Sequence, residues 1–240
     1  MPRDTDILER LRHYGLKVVE IDGWRTRGNT AFSPRGSVDH HTAGPRRGNA
    51  PSLGICINGR SDLPGPLCHV LVARDLTCYL IAAGRANHAG PGGWKGLTGN
   101  SSVFGVEREN VGTSAEPWTT AQTKHAATVH KALMGGRSAS LVCRHAEWAP
   151  SRKIDTHSLS GNLLRTMVAA TMPPQEDDMP LTTEDINKVA DAVIKKMNAS
   201  KSGVPGAYLD PAWNRLQTII EQADKDASQG LLAKIWSKVK

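Results

Sequence analysis

The chain has 240 residues, 39% hydrophobic and 22% charged, enough for one sizeable globular domain and a smaller appendage. No apolar run reaches the roughly 18 residues a membrane-crossing helix needs, so none is expected. The net charge of +7 is uneven: 21 basic residues oppose 13 acidic ones before Pro173, and 9 oppose 10 from there on. A basic body suits a polyanionic partner such as anionic lipid or an anionic wall polymer, whereas nucleic acid is disfavoured because the basic residues form no dense run and match no nucleic-acid-binding motif.

In chain order, Asp4 to Tyr14 predicts a short helix with Ile7, Leu8 and Leu11 as its apolar face and Asp4 or Thr5 as its cap. Leu16 to Ile21 reads as a strand ended by Gly23, and Ser37 to His41 as a second strand running into Thr42-Ala43-Gly44. Residues 44–50 are a loop, and Pro51 to Asn58 predicts a helix. Cys68 to Ala73 and Thr77 to Ala82 form a hairpin pattern around Arg74-Asp75-Leu76, although its turn lacks glycine. After a loop-rich stretch from Gly84 to Gly99 come a strand at Ser102 to Glu107, a helix at Thr119 to Met134 stopped by Gly135-Gly136, a polar segment from Arg144 to Thr156, and a closing helix at Leu159 to Thr171. Intermixed strands and helices of this kind indicate an α/β domain: a mixed central sheet flanked by helices over 1–171. The three prolines and three acids of 172–181 read as a linker. Residues 182–240 read as a small helical C-terminal region. Thr182 and Asp185 resemble a capping box, Ile186, Val189, Val193 and Met197 share a face, and the last helix carries Trp236 among lysines. That region is expected to bind the cell wall, to oligomerise, to touch anionic membrane, or to pack on itself; the last is favoured, because three short helices need a shared core.

Cys56, Cys68, Cys78 and Cys143 show no CxxC spacing. With acids at once after Met1 and no apolar signal core, export by a secretory signal is not expected, and reduced thiols are.

Two separated segments carry the chemistry. One is His40-His41-Thr42 at a strand end; the other runs from His145 through Glu147, Pro150, Arg152 and Lys153 to Asp155. A catalytic zinc needs three N or O ligands and an open position for water, which His40, His145 and Asp155 would provide. By spacing alone, isolated histidines are more often surface or packed residues than ligands.

These segments resemble the zinc-dependent N-acetylmuramoyl-L-alanine amidases, a family spanning phage endolysin amidases, muropeptide-recycling amidases and peptidoglycan recognition proteins. The resemblance rests on His40-His41-Thr42-Ala43, on Leu63 to Leu67, on Asn87-His88-Ala89-Gly90, on Asn100-Ser101 with Phe104 to Glu107, and on the pattern from His145 to Asp155, all in order over about 30–170. It implies one zinc ion held by His40, His145 and Asp155. It further implies a catalytic carboxylate at Glu107, a cation near the reacting carbonyl at Lys153, and a substrate groove touched by His88 and Asn87. The substrate implied is bacterial peptidoglycan, cut between N-acetylmuramic acid and L-alanine. The basic body and the separate C-terminal region suggest a phage endolysin reaching the wall after holin-dependent release. A cytoplasmic recycling amidase is the same-chemistry rival, and a non-catalytic peptidoglycan-binding module is the rival of another class.

Two residues depart from the family pattern. Cys68 stands where some phage relatives have a catalytic tyrosine, which shifts weight onto Glu107. Thr156 stands where many relatives have proline, which is expected to loosen the loop behind Asp155. His41, next to a ligand on a strand, should face the other way and be structural. His69, in an apolar run, should be packed or support a ligand from behind. For Trp94 and Trp118 a packing role is expected at least as much as contact with sugar or peptide.

Overall fold

A computed structural model describes residues 3–174 of the chain. The linker and C-terminal helices expected at 175–240 lie outside the described residues. In order the elements are α1 (Ile7–His13), β1 (Val18–Glu20), β2 (Gly36–His41), α2 (Leu53–Asn58), β3 (Gly59–Arg60), β4 (Leu63–Pro64), β5 (Val70–Val72), β6 (Cys78–Leu80), β7 (Gly93–Trp94), β8 (Leu97–Thr98), β9 (Val103–Arg108), α3 (Thr120–Met134), β10 (Val142–Arg144), α4 (His145–Trp148) and α5 (Gly161–Ala170). Six strands form one mixed sheet in the order β1-β6-β5-β9-β2-β10, while β3-β4 and β7-β8 are separate two-residue hairpins. Only β5 and β6 pair antiparallel in the six-stranded sheet; the other neighbours are parallel.

Alternation along the strands sorts the side chains into two faces. On one, Val70, Val72, Phe104 and Val106 pack with Ile7, Leu8 and Leu11 of α1 and Val129, Ala132 and Leu133 of α3. Burying that apolar stripe is what holds both helices. The helix α3 begins where the sequence places it. Thr119 accepts from the Gln122 amide at 3.1 Å and Gln122 reaches back to the Thr119 amide at 2.9 Å, a reciprocal cap. The cap expected of Asp4 on α1 does not form, since that carboxylate takes the Arg10 guanidinium at 2.7 and 3.0 Å.

The opposite face carries Val38, Val103, Cys143 and, from the segments that cover it, Ala89, Leu97 and Trp148. Here the cover consists of short pieces instead of long helices. The carboxyl ends of the parallel strands β2, β9 and β10 open at one edge, the place where open α/β sheets bind ligands.

Candidate active site

His40 is the fifth residue of β2, and the alternation that buries Val38 on the covered face puts His40 on the same side. The adjacent strand places Glu107 level with it. The third contributor arrives from β10: its last residue, Arg144, leads into α4, whose first residue is His145. The loop after α4 then returns Asp155 to His145. The Ala146 amide donates to the Asp155 carbonyl, and the His145 Nδ1 atom stands 2.9 Å from Asp155 Oδ2.

His40 Nδ1 lies 2.9 Å from His145 Nδ1 and 3.1 Å from Asp155 Oδ2, and all three residues are buried. Their donor atoms form a group able to hold a metal ion. The chemistry of the set fits a cation. His145 Nε2 lies 2.9 Å from the Ala89 carbonyl. A carbonyl only accepts, so Nε2 carries the proton and Nδ1 presents a lone pair to the Asp155 carboxylate. Two acceptors at contact distance are favourable when a positive ion lies between them. Around a tetrahedral zinc with bonds of about 2.0–2.1 Å the ligand atoms would be roughly 3.3 Å apart, close to the triangle seen here. Burial pushes His40 down to about 4, which keeps its imidazole neutral and ligand-competent.

Glu107 is partly buried, and its Oε2 atom is enclosed without a hydrogen-bond partner. Burial, with the neighbouring Cys56, Asp155 and Asp39, pushes its carboxyl well above the usual range, and the Lys153 ammonium pulls the other way. Lys153 and Asp155 flank the exposed Ile154, so the same loop brings a cation and a metal-ligand candidate to the site edge.

The segment expected to touch substrate is tied into the protein. Asn87 donates its side-chain amide to the Pro64 carbonyl at 2.9 Å. His88 has one ring nitrogen 3.0 Å from His40 and the other 3.2 Å from the Val103 carbonyl. Its ring lies flat against Gly105, where a Cβ would come within 2.5 Å of it, so β9 needs glycine there. The Asn100 side chain accepts from the amides of His88 and Ala89, and Arg152 donates to the carbonyls of Ala89 and Pro91. The supporting parts played by Asn100 and Arg152 were not read from the sequence, though both fall within the segments quoted from it.

The reverse side of β2 holds a buried polar cluster that sequence reasoning missed. Asp39 accepts from Arg108 at 2.9 and 2.6 Å, from His130 at 3.1 Å and from the Thr156 hydroxyl at 2.6 Å. Burial alone would raise the Asp39 carboxyl, but Arg108 and His130 outweigh it and hold the group well below the usual range. Thr156 is fully buried, so the looseness expected behind Asp155 is not found: the hydroxyl that replaces proline pins the loop to the sheet. An acid between Val38 and His40 on a buried strand was the available signal, since a buried carboxylate must find partners.

His41 faces this reverse side, accepting from the His157 amide at 3.1 Å, which is the structural position its strand parity implies. His69 is fully buried, stacked on Phe32 at 4.6 Å, and accepts from the Gly105 amide. The indole N–H groups of Trp94 and Trp118 donate to Ser140 and His157 carbonyls, and both rings pack on arginines. Cys68 is buried against Cys56, and burial pushes its thiol well up.

Residues 30–158 match the family model described as N-acetylmuramoyl-L-alanine amidase. Similar solved structures include the selenomethionine derivative of AmpD, 24% identical, covering 64% of this chain and 94% of its own with a TM-score of 0.49. Another is the amidase AmiD from E. coli in complex with an anhydro-muropeptide, 22% identical, covering 84% and 85% with a TM-score of 0.45. A third is the endolysin LysCS from Clostridium intestinale URNW, 23% identical, covering 55% and 82% with a TM-score of 0.40. No curated protein matches the chain.

Proposed function

This chain belongs to the N-acetylmuramoyl-L-alanine amidase family, and on that premise we propose that it is a zinc hydrolase. It holds one zinc ion on His40, His145 and Asp155 and cleaves the amide bond between N-acetylmuramic acid and L-alanine in bacterial peptidoglycan. The observation that carries this reading is the meeting of two imidazole nitrogens and a carboxylate oxygen, 2.9–3.1 Å apart, from segments more than a hundred residues apart in the chain.

Bound there, zinc would polarise the scissile carbonyl and make water acidic enough to attack near neutral pH. Glu107 accepts the proton from the attacking water and returns it to the departing L-alanine nitrogen. Its raised pKa suits both halves of that exchange, because a carboxylate of ordinary acidity holds a proton too briefly at neutral pH. Lys153 stabilises the negative charge that develops on the carbonyl oxygen.

Within this reading the protein acts as a phage endolysin on intact wall, which the positive excess before Pro173 favours by drawing it to anionic wall polymers. The decisive experiment is digestion of purified sacculi. An amidase releases new amino-terminal L-alanine and leaves muramic acid without a peptide; new reducing ends without new amino groups would mean a glycosidase and overturn the assignment. Turnover of soluble anhydro-muropeptides in preference to sacculi would point to recycling in place of lysis.

A further inference from the structure

The two imidazoles that meet Asp155 are both held from behind by consecutive residues of one loop. His145 Nε2 donates to the Ala89 carbonyl, 2.9 Å away, which turns its Nδ1 lone pair toward Asp155. For His40 the same outcome needs one more link. His88 Nε2 lies 3.2 Å from the Val103 carbonyl, an acceptor only, so the His88 proton sits on Nε2 and its Nδ1 is a lone pair. That Nδ1 lies 3.0 Å from His40 Nε2, which must therefore donate, leaving Nδ1 of His40 bare toward His145 and Asp155.

We propose that His88 is a positioning residue: a two-imidazole relay running from the Val103 carbonyl through His88 to His40 fixes which nitrogen of His40 faces the metal, while Ala89 does the same for His145. Both ring nitrogens of His88 are consumed in that relay, which leaves substrate only its ring carbons. The ring cannot turn away from the task. It lies on Gly105 where a side chain would collide with it, and it meets His40 edge-on at 5.2 Å and His69 edge-on at 5.7 Å. The backbone that carries it is itself clamped, since Asn100 accepts from the amides of His88 and Ala89, and Arg152 shares the Ala89 carbonyl with His145. One loop thus sets the tautomer of two histidines, one on the strand β2 and one at the start of α4. Partners of this kind behind a metal-bound histidine are worth about 10–100-fold in metal affinity.

The relay rests on the proposal that His40 and His145 are zinc ligands, so its test separates the two. The full chain is stripped of metal, and zinc affinity is measured by competition with a chromophoric chelator for wild type, His88→Leu and His88→Asn. His88→Leu removes the acceptor and is expected to weaken zinc about 10–100-fold. His88→Asn keeps an oxygen near the Nδ1 position and is expected to recover most of that loss. In parallel, nitrogen-15 spectra of the zinc-loaded wild type at pH 8 should show His40 and His145 protonated at Nε2 with Nδ1 on the metal, and His88→Asn should keep His40 so. A wild type that binds no zinc overturns the metal site itself. A wild type that binds zinc while His88→Leu binds it equally well, or a zinc-loaded spectrum with His40 protonated at Nδ1, overturns the relay alone. Should His88→Leu fail to fold, the wild-type spectrum and His88→Asn still decide. Unchanged zinc affinity with a raised KM would assign His88 to the substrate instead and overturn the relay.

Discussion

Glu107 stands directly across from His40 in the parallel pairing of β2 and β9, so both side chains leave the sheet on the same face, one toward the metal-ligand cluster and one beside it. The register makes the proposed acid–base group and the proposed ligand a rigid pair set by two central strands. Glu107→Gln keeps the shape and removes the proton acceptor. It should lower kcat on purified walls by about 10²–10⁴-fold with zinc content unchanged. The acid limb of the wild-type rate profile should lie above the ordinary carboxylate range, because burial raises the Glu107 carboxyl, and that limb should vanish in the variant. Near-normal lysis by Glu107→Gln would remove it from the mechanism.

Metal removal gives a second expectation. Dialysis against a chelator should abolish wall hydrolysis, and zinc should restore it at one ion per chain. Asp155→Ala and His145→Ala should not be rescued, since each leaves two ligands where a catalytic zinc needs three. Metal analysis of the purified variants checks this directly, and stoichiometric zinc in His145→Ala would refute the ligand set.

How much of this was legible beforehand varied with the range of the interactions. The helix α3 was, because fifteen residues show a period and the cap Thr119–Gln122 is local. So was the face of His41, because strand parity is a two-residue property. The helix α4 was not, being four residues long with too few positions to show a period, and neither were the two-residue hairpins β3-β4 and β7-β8. The proposed ligand set came from resemblance; composition and spacing left those histidines ambiguous, and what the fold adds is that His40, His145 and Asp155 meet. Least legible were the contacts made across the fold. Thr156 reads as a loss of rigidity until Asp39 is found 117 positions away, and the engagement of His88 by His40 and Val103 needs two strands and a loop in place.

The Thr156 contact makes its own prediction. Thr156→Val preserves shape and removes the 2.6 Å hydrogen bond to Asp39, a buried carboxylate that keeps Arg108 and His130 as partners. A hydrogen bond to a charged group of this kind contributes about 1.5–3 kcal/mol. The urea midpoint should fall accordingly, and zinc affinity should fall too, because the residue preceding Thr156 is Asp155. Unchanged stability and zinc affinity would show that the loop is held by other contacts.

The role proposed for Lys153 should be separable from metal binding. Lys153→Ala should bind zinc as the wild type does and lose about 10²–10³-fold in kcat, the scale of removing one oxyanion-stabilising group. Because Lys153 lowers the Glu107 carboxyl, its loss should also move the acid limb of the rate profile upward. A shift of that limb without a fall in kcat would reduce Lys153 to tuning Glu107 alone.

The stability of the metal-free protein should depend on pH through groups of opposite sign. Burial depresses His69 to about 3 and His125 to about 4, against 6.5 when unfolded. In that window the unfolded chain binds more protons than the fold, so stability is complete above pH 6.5 and falls as the solution is acidified. His69, fully buried, contributes up to about 1.4 kcal/mol per pH unit, and the partly exposed His125 less. Glu107 acts the other way: its raised pKa makes the fold bind a proton the unfolded chain has released, so acidification toward 4.5 stabilises and partly offsets the histidines. Urea titrations between pH 4.5 and 7.5 should therefore show a positive slope of stability with pH. That slope should be steeper in Glu107→Gln and shallower in His69→Asn, which keeps an acceptor for the Gly105 amide. A Glu107→Gln slope equal to or below that of the wild type would mean that Glu107 is ionised in the metal-free fold.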